Sequence, residues 1–275
     1  MENASELVLV STKNHVRTLT MNMPKRLNGW TFAMIEATQA ALRDAADDDE
    51  VKVIILTGTG PYYSAGVNLG GSLQPGHPKT MHAAIVGYNQ AVFDAFINVP
   101  KPIIAAVNGH AIGASVTTAT LCDAIIASDQ ATFSTPFAKL GVPAEGCSSV
   151  QFERLFGQQT ADRILGKEGW KPTGAEAAEI GLAERVVPND TLLTEAQTMA
   201  EGWVAEGRGR TYRGNATREE LLAINARESV EVATAFLSPP FLKGQYTFLR
   251  SKGKKRLAAM FWVFWRSHPL WSRLL

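Results

Sequence analysis

Three short runs most restrict what this chain can become: VKVIILTG at 51–58, IIAAVNG at 103–109 and DAIIASD at 123–129. Each is nearly continuously apolar, without the polar–apolar alternation of a strand that has one wet face. Such runs read as strands buried on both sides. Helical patterns fall between them. TFAMIEATQAALRDAADD (31–48) opens on Thr31 as an N-cap and carries apolar residues at helical spacing. A second helix is expected over 81–97, broken by Val99-Pro100-Lys101-Pro102, and a third from about Gly113 to Leu121. Upstream, LVLVST and VRTLTMN, separated by Lys13-Asn14, read as a hairpin. Strands alternating with helices make this an α/β chain through about residue 187. The remainder is helical in pattern, apart from the glycine- and arginine-rich loop EGRGRTYRGNAT at 206–217. No repeat and no Pro-, Gly- or Ser-rich linker is visible. The expected organisation is a core over 1–190 and a helical C-terminal subdomain over 191–275, its tail unusual from about 250.

Composition removes several function classes. A net charge of +1 gives no global field for nucleic acid or an anionic membrane. The two cysteines, Cys122 and Cys147, stand outside any CxxC pair, so no disulfide framework is expected and a reducing compartment fits better. The five histidines lack ligand spacing, so no metal site is expected. The opening MENASELVLV has neither the basic flank of a signal peptide nor the arginines of a transit peptide. No apolar run reaches the ~18–20 residues that span a bilayer.

Three loops carry the candidate chemistry. In YYSAGVNL (62–69), small Ala65 and Gly66 allow a ligand to approach the backbone and leave the Val67 N–H to donate. In NGHAIGASVTTA (108–119), Gly113 and Ala114 start a helix whose unpaired N–H groups favour developing negative charge. KLGVPAEGCSSVQ (139–151) holds a single carboxylate, Glu145, among small and mostly apolar residues with no cation beside it. Two N–H donors aimed at one oxygen form an oxyanion hole, and a nearby carboxylate supplies proton transfer. Taken singly, each is a common structural loop. Cys147-Ser148-Ser149 lacks a GxSxG elbow and a partner histidine, and both cysteines read as small buried residues. His110 reads as packed or satisfied by a turn, and His77 and His82 as bystanders near a pocket mouth.

The segments YSAGVNL, KPIIAAVNGHAIGAS, LCDAIIASDQATFSTPFAKLGVPAEGCSS and GAEAAEIGLAERVVP occur together and in order, and the chain thereby resembles the crotonase (enoyl-CoA hydratase/isomerase) superfamily. The likeness runs from about residue 7 to 190 and is greatest to 3,2-enoyl-CoA isomerases of the peroxisomal type. It implies the crotonase (ClpP-like) fold, a spiral of repeated ββα units with a helical C-terminal subdomain. It implies oxyanion donors at the backbone N–H groups of Val67 and Ala114. Lys25, Ser64, Ala65, Gly66, Asn68 and Leu69 fall on segments that line the substrate and coenzyme A site. Asn68 stands where the family often has Asp, and a solvated turn is an equal reading for Lys25. Hydratases of the family use two glutamates, and their places hold Thr117 and Phe137 here. The isomerase glutamate falls on Glu145, which would take a proton from C2 of the acyl chain and return it to C4. Desolvation should raise the pKa of such an acid toward that of its C–H substrate.

The resemblance thus implies isomerisation of 3-enoyl-CoA to trans-2-enoyl-CoA, with coenzyme A as part of the substrate and no cofactor. The alternatives are other thioester-enolate chemistry, such as weak hydration, and non-catalytic acyl-CoA binding. A homotrimer or hexamer is implied. Arg208, Arg210 and Arg213 replace a lysine-rich helix and read either as contacts to CoA phosphates or as solvated loop residues. The tail, RSKGKKRLAAMFWVFWRSHPLWSRLL, reads as a helix packed on the core or on a neighbouring subunit, or as an interfacial helix on an anionic membrane. Ser272-Arg273-Leu274 has the form of a peroxisomal address displaced by one residue, so the expected location is peroxisomal, otherwise cytoplasmic.

Overall fold

The computed structural model describes residues 4–67 and 76–275. After a short helix α1 (Ala4–Leu7), strands β1 (Val8–Lys13) and β2 (Val16–Met21) pair antiparallel. The turn between them is Asn14-His15, one residue later than expected, because both take positive φ (51° and 63°), a geometry that Asn in particular tolerates. Helix α2 (Phe32–Asp47) begins where Thr31 accepts a hydrogen bond from the Met34 N–H at 3.2 Å.

The three apolar runs become β3 (Val53–Gly58), β5 (Ile103–Val107) and β7 (Ala124–Ser128). With β9 (Arg185–Val187) they complete a six-stranded sheet ordered β1-β2-β3-β5-β7-β9, parallel except for the first pair. Period-two alternation divides their side chains between two cores. Val53, Ile55, Ile104, Ala106, Ala124 and Ile126 face α9 (Leu192–Ala205) through Leu192, Ala196, Ala200 and Trp203. Ile54, Leu56, Ile103, Ala105, Val107, Ile125 and Ala127 face the main core. That double burial is why the runs lack alternation.

The candidate loops are not wholly irregular. They contain β4 (Tyr62–Ser64), β6 (His110–Ile112) and β8 (Thr132–Ser134), which form a second, three-stranded parallel sheet ordered β4-β6-β8. Helix α3 (Pro78–Ile97) starts three residues earlier than the expected 81, with Pro78 in its first turn, where a missing N–H costs nothing. Helix α4 (Ala114–Thr120) follows β6, and α5 (Phe137–Leu140) follows β8. The chain therefore repeats a ββα unit although no sequence repeat is detectable. This is the spiral α/β core of the crotonase fold.

Helices α6 (Ser148–Phe156), α7 (Gln158–Leu165) and α8 (Gly174–Glu179) lead back to the sheet. Beyond α9 lie α10 (Arg218–Phe236), α11 (Pro239–Ser251) and α12 (Lys255–Trp271). Helix α10 packs along α3. A separate apolar cluster joins Met81 and Ile85 of α3 to Phe236, Phe241, Leu242 and Leu249, with Ala258 and Phe261 of α12 buried in it. The tail is thus a helix packed on its own chain. It also leaves Phe248, Trp262, Val263 and Leu270 exposed, Leu270 at 79%. Among the described residues no helix is long and apolar enough to cross a membrane, and no three His, Cys, Asp or Glu side chains gather where they could hold a metal ion.

Of the three arginines of the 206–217 loop, Arg208 is exposed, in line with the solvated reading, while Arg210 and Arg213 fit neither expectation. Arg210 is buried against Asp123, with side-chain exposures of 6% and 0%. It also donates to the Leu121 carbonyl at 2.6 Å. Asp123 further accepts from the N–H of Ile103 at 2.8 Å and of Thr211 at 2.6 Å. Arg213 donates to the carbonyls of Gly181 and Leu182, just beyond α8. Arg208 lies over the ring of Trp203, 4.1 Å from its centroid. The hydrogen bonds of Arg210 and Arg213 are directed at backbone and carboxylate, so these two residues anchor the loop to the fold.

Candidate active site

A cavity of about 90 Å³ opens between the small sheet and the C-terminal helices. Ala65, Gly66, Val67, Ala114 and Glu145 line it, so five of the expected site residues meet there. Gly66 has φ +73°, and a side chain on it would collide with the Ile112 carbonyl, so only glycine lets the two donor segments come this close. A carbon placed there would lie 3.7 Å from the Ala114 nitrogen. Among the described residues neither the Val67 nor the Ala114 N–H has an acceptor in the fold. Gly113 is the N-cap of α4, and Ala114 begins the helix with its N–H free of the ladder.

The other expected contacts divide. Ser64 is fully buried. Its hydroxyl donates to the Asn28 carbonyl at 2.7 Å and accepts from the Gly66 N–H at 3.0 Å, so it shapes the loop from behind and does not face a ligand. Lys25 is exposed in the 3-10 turn Pro24–Arg26 and does not line the cavity. Asn68 and Leu69 lie outside the described residues. Asn28, unmarked in the sequence reading, holds this region together. It accepts from the Met23 N–H at 2.8 Å and donates to the carbonyls of Thr59 and Tyr62 at 2.9 and 2.8 Å.

Thr117 is buried in α4 with its hydroxyl donated to the Ala114 carbonyl at 3.2 Å, and Phe137 forms part of the cavity wall. Leu140, Val142 and Phe236 complete an apolar wall. Glu145 keeps some accessible surface because it faces the cavity, while protein atoms crowd it on all sides. Among the described residues its carboxyl accepts no hydrogen bond, and Ser148 donates only to its backbone carbonyl, at 2.7 Å. Burial pushes its pKa up to about 8, as an acid in an apolar setting should behave.

The expectation of a solitary acid needs correcting. Glu228, from α10, is fully buried beside the same loop, and its charge is the second cause of the Glu145 shift. Cys122 and Cys147 are buried and unpaired, as expected, and the Cys147 thiol donates to the Leu221 carbonyl. His110 pairs with the Thr132 hydroxyl at 2.8 Å. His77 and His82 do not line the cavity.

Two backbone N–H groups without acceptors and a desolvated carboxyl line one small, largely apolar cavity, an arrangement able to stabilise negative charge on an oxygen beside a proton acceptor. Comparison with known proteins agrees. The family described as "Enoyl-CoA hydratase/isomerase" matches residues 11–213, and the chain belongs to that crotonase family. It is 34% identical to enoyl-CoA delta isomerase 2 of Rattus norvegicus over 258 residues, covering 91% of this chain and 65% of the rat protein. It is 32% identical to the peroxisomal enoyl-CoA delta isomerase 3 of Mus musculus, covering 92% of this chain and 81% of the mouse protein. The crystal structure of an enoyl-CoA hydratase/isomerase from Pseudoalteromonas atlantica superimposes with a TM-score of 0.76 at 27% identity, over 89% of this chain and 97% of that one. Isomerase and hydratase relatives together support crotonase-type enoyl-CoA chemistry.

Proposed function

We propose that the protein converts 3-enoyl-CoA to trans-2-enoyl-CoA, with Glu145 as the single proton carrier. One observation carries the reading: among the described residues Glu145 is the carboxylate that lines the cavity, and buried Thr117 and apolar Phe137 stand where the family resemblance would put the hydratase acids. The thioester oxygen accepts from the N–H groups of Val67 and Ala114, which bind it best once it carries enolate charge. Ionised Glu145 removes a proton from C2, and the C–H electrons move into the C1–C2 bond and onto oxygen. The dienolate then takes that proton at C4, its electrons return, and the double bond comes to rest between C2 and C3. No atom is gained or lost. The wall of Phe137, Leu140, Val142 and Phe236 holds the chain and keeps bulk water from the enolate.

The same reading has coenzyme A entering as part of the substrate and the protein assembling as a trimer or a pair of trimers. The exposed apolar side chains on α11 and α12 support assembly. The name of the mouse relative supports work in the peroxisome.

The test is purified protein assayed with 3-enoyl-CoA and 2-enoyl-CoA side by side. Isomerisation should dominate, and hydration should be slow or absent. Glu145→Gln should lower isomerisation by at least ~100-fold, a typical share for general base catalysis, with little change in acyl-CoA binding. Near-normal turnover in that variant, or hydration as fast as isomerisation, overturns the reading.

A further inference from the structure

The Glu145 loop is built in an unusual way. Gly146 and Cys147 are both left-handed, at φ 65° and 66°, and cysteine pays for that conformation. Gly146 cannot be replaced cheaply, since a side-chain carbon there would lie 2.5 Å from the Phe93 ring and 2.6 Å from the Thr117 hydroxyl. Cys147 is the N-cap of α6 but supplies no side-chain cap. The first turn of α6 would therefore leave N–H groups unpaired inside the protein.

Glu228 satisfies them from another helix. One carboxylate oxygen accepts from the Cys147 N–H at 2.6 Å and the other from the Ser149 N–H at 2.9 Å. The cap of α6 is thus provided from α10, two residues beyond Glu145. We propose that Glu228 is a positioning residue for Glu145: its carboxylate fixes the turn that aims Glu145 into the cavity and places a second acid beside it.

The charge assignment follows from the hydrogen bonds. Burial raises the Glu228 carboxyl above its ordinary value, and the two backbone N–H groups it accepts pull it back toward the ionised form. The Glu145 carboxyl has no such donors, so when the buried pair holds one proton, Glu145 holds it. Few groups compete for this role. On α10, Arg227 attracts Glu228 while also reaching Glu231 and the Ser149 hydroxyl. On the α6 side the Cys147 thiol stays protonated, its pKa raised by burial and by Glu228. From α3, Asp94 acts on Cys147 and accepts a hydrogen bond from Asn225 at 2.8 Å. Glu228 is the charge felt by Glu145 itself.

This inference rests on the isomerase reading only in its kinetic arm. The direct test is carboxyl carbon NMR of the full chain labelled at glutamate, with each resonance assigned by its loss in Glu145→Gln or Glu228→Gln. In Glu228→Gln the Glu145 midpoint should fall by roughly one pH unit, the scale on which a like charge sharing a site acts. The acid limb of kcat/KM for isomerisation should move down with it. The pH-independent plateau should fall by roughly tenfold or more, because one N–H loses its acceptor and the aim of the base loosens. A residue of purely structural weight would lower melting and plateau and leave the limb in place. Glu228 ionises while Glu145 still holds its proton, so in the wild-type protein its midpoint should lie below that of Glu145 and should stay in place in Glu145→Gln, which serves as the test if Glu228→Gln does not fold. An unmoved Glu145 midpoint in folded Glu228→Gln, or a Glu228 midpoint that lies above that of Glu145 or falls in Glu145→Gln, overturns the proposal. If the Glu145 midpoint moves in Glu228→Gln but the wild-type protein does not isomerise, the isomerase reading falls and the coupling stands.

Discussion

Replacing Glu145 by Gln should stabilise the protein, and the gain should grow with pH. The carboxyl is the same size as the amide and accepts no hydrogen bond among the described residues, so the exchange removes no contact. What it removes is the burden of ionising a desolvated acid. The group sits at about 8 in the fold, where 4.5 is its ordinary value. Between those values the folded protein keeps a proton that the unfolded chain has released. Wild-type stability therefore declines as pH rises from about 4.5 and levels off above about 8. At about 1.4 kcal/mol per pH unit, the full difference is on the order of 5 kcal/mol. Water entering the cavity will reduce it.

Urea denaturation of both proteins at several values between pH 5 and pH 9 reads this directly. The difference in unfolding free energy should be smallest near pH 5 and increase in favour of the variant until about pH 8. A buried amide without partners adds a constant offset, so the slope with pH, and not the value at any single pH, is the measure. A difference that stays flat from pH 5 to pH 9 would refute the desolvated-acid argument. So would a variant that loses ground to wild type as the pH is raised.

Two further perturbations test the frame around the site. Arg210→Ala leaves Asp123 charged and buried without its cation, and should cost about 3–5 kcal/mol in denaturation, the usual penalty for breaking a buried pair from one side; a loss below about 1 kcal/mol would return the loop to the solvated reading. Removing residues 257–271 uncovers the cluster that buries Phe261 against α11, and should lower melting or dissolve the proposed oligomer on size exclusion, since one such side chain contributes ~1.5–3 kcal/mol. Assembly and melting left unchanged, together with lost binding to anionic vesicles, would favour the membrane reading of the tail.

The legible and illegible parts of the fold differ in how much local signal each element carries. Strands β3, β5 and β7 are five or six residues long and buried on both faces, so their apolar runs stand out. Strands β4, β6 and β8 are three residues each, shorter than one reliable period of alternation, and mix Tyr, Ser, His and Thr with apolar neighbours. Their pairing is with segments distant in sequence, and read locally they pass for loops. The arginine loop misleads for a related reason. Arg210 among glycines looks solvated, and only the fold brings Asp123 to it.

The site shows the same division. Gly66, Gly113 and the Glu145 loop announce themselves, because close backbone approach and an unpaired acid leave marks in the sequence. Glu228 does not, since α10 also carries Glu219, Glu220 and Glu231 and reads as an ordinary charged helix. Its signal was one of phase. Leu221, Ile224, Asn225, Glu228 and Val232 are buried at helical spacing, so Glu228 lies on the stripe that faces the core, where an acid is rarely tolerated unpartnered. The natural search for its partner is for a cation. The partner is instead two backbone N–H groups, which have no identity in a sequence and acquire one only when Gly146 and Cys147 turn left-handed and open the first turn of α6. An acid in phase with an apolar stripe, facing a helix start that cannot cap itself, is therefore the pattern by which such a positioning carboxylate can be recognised.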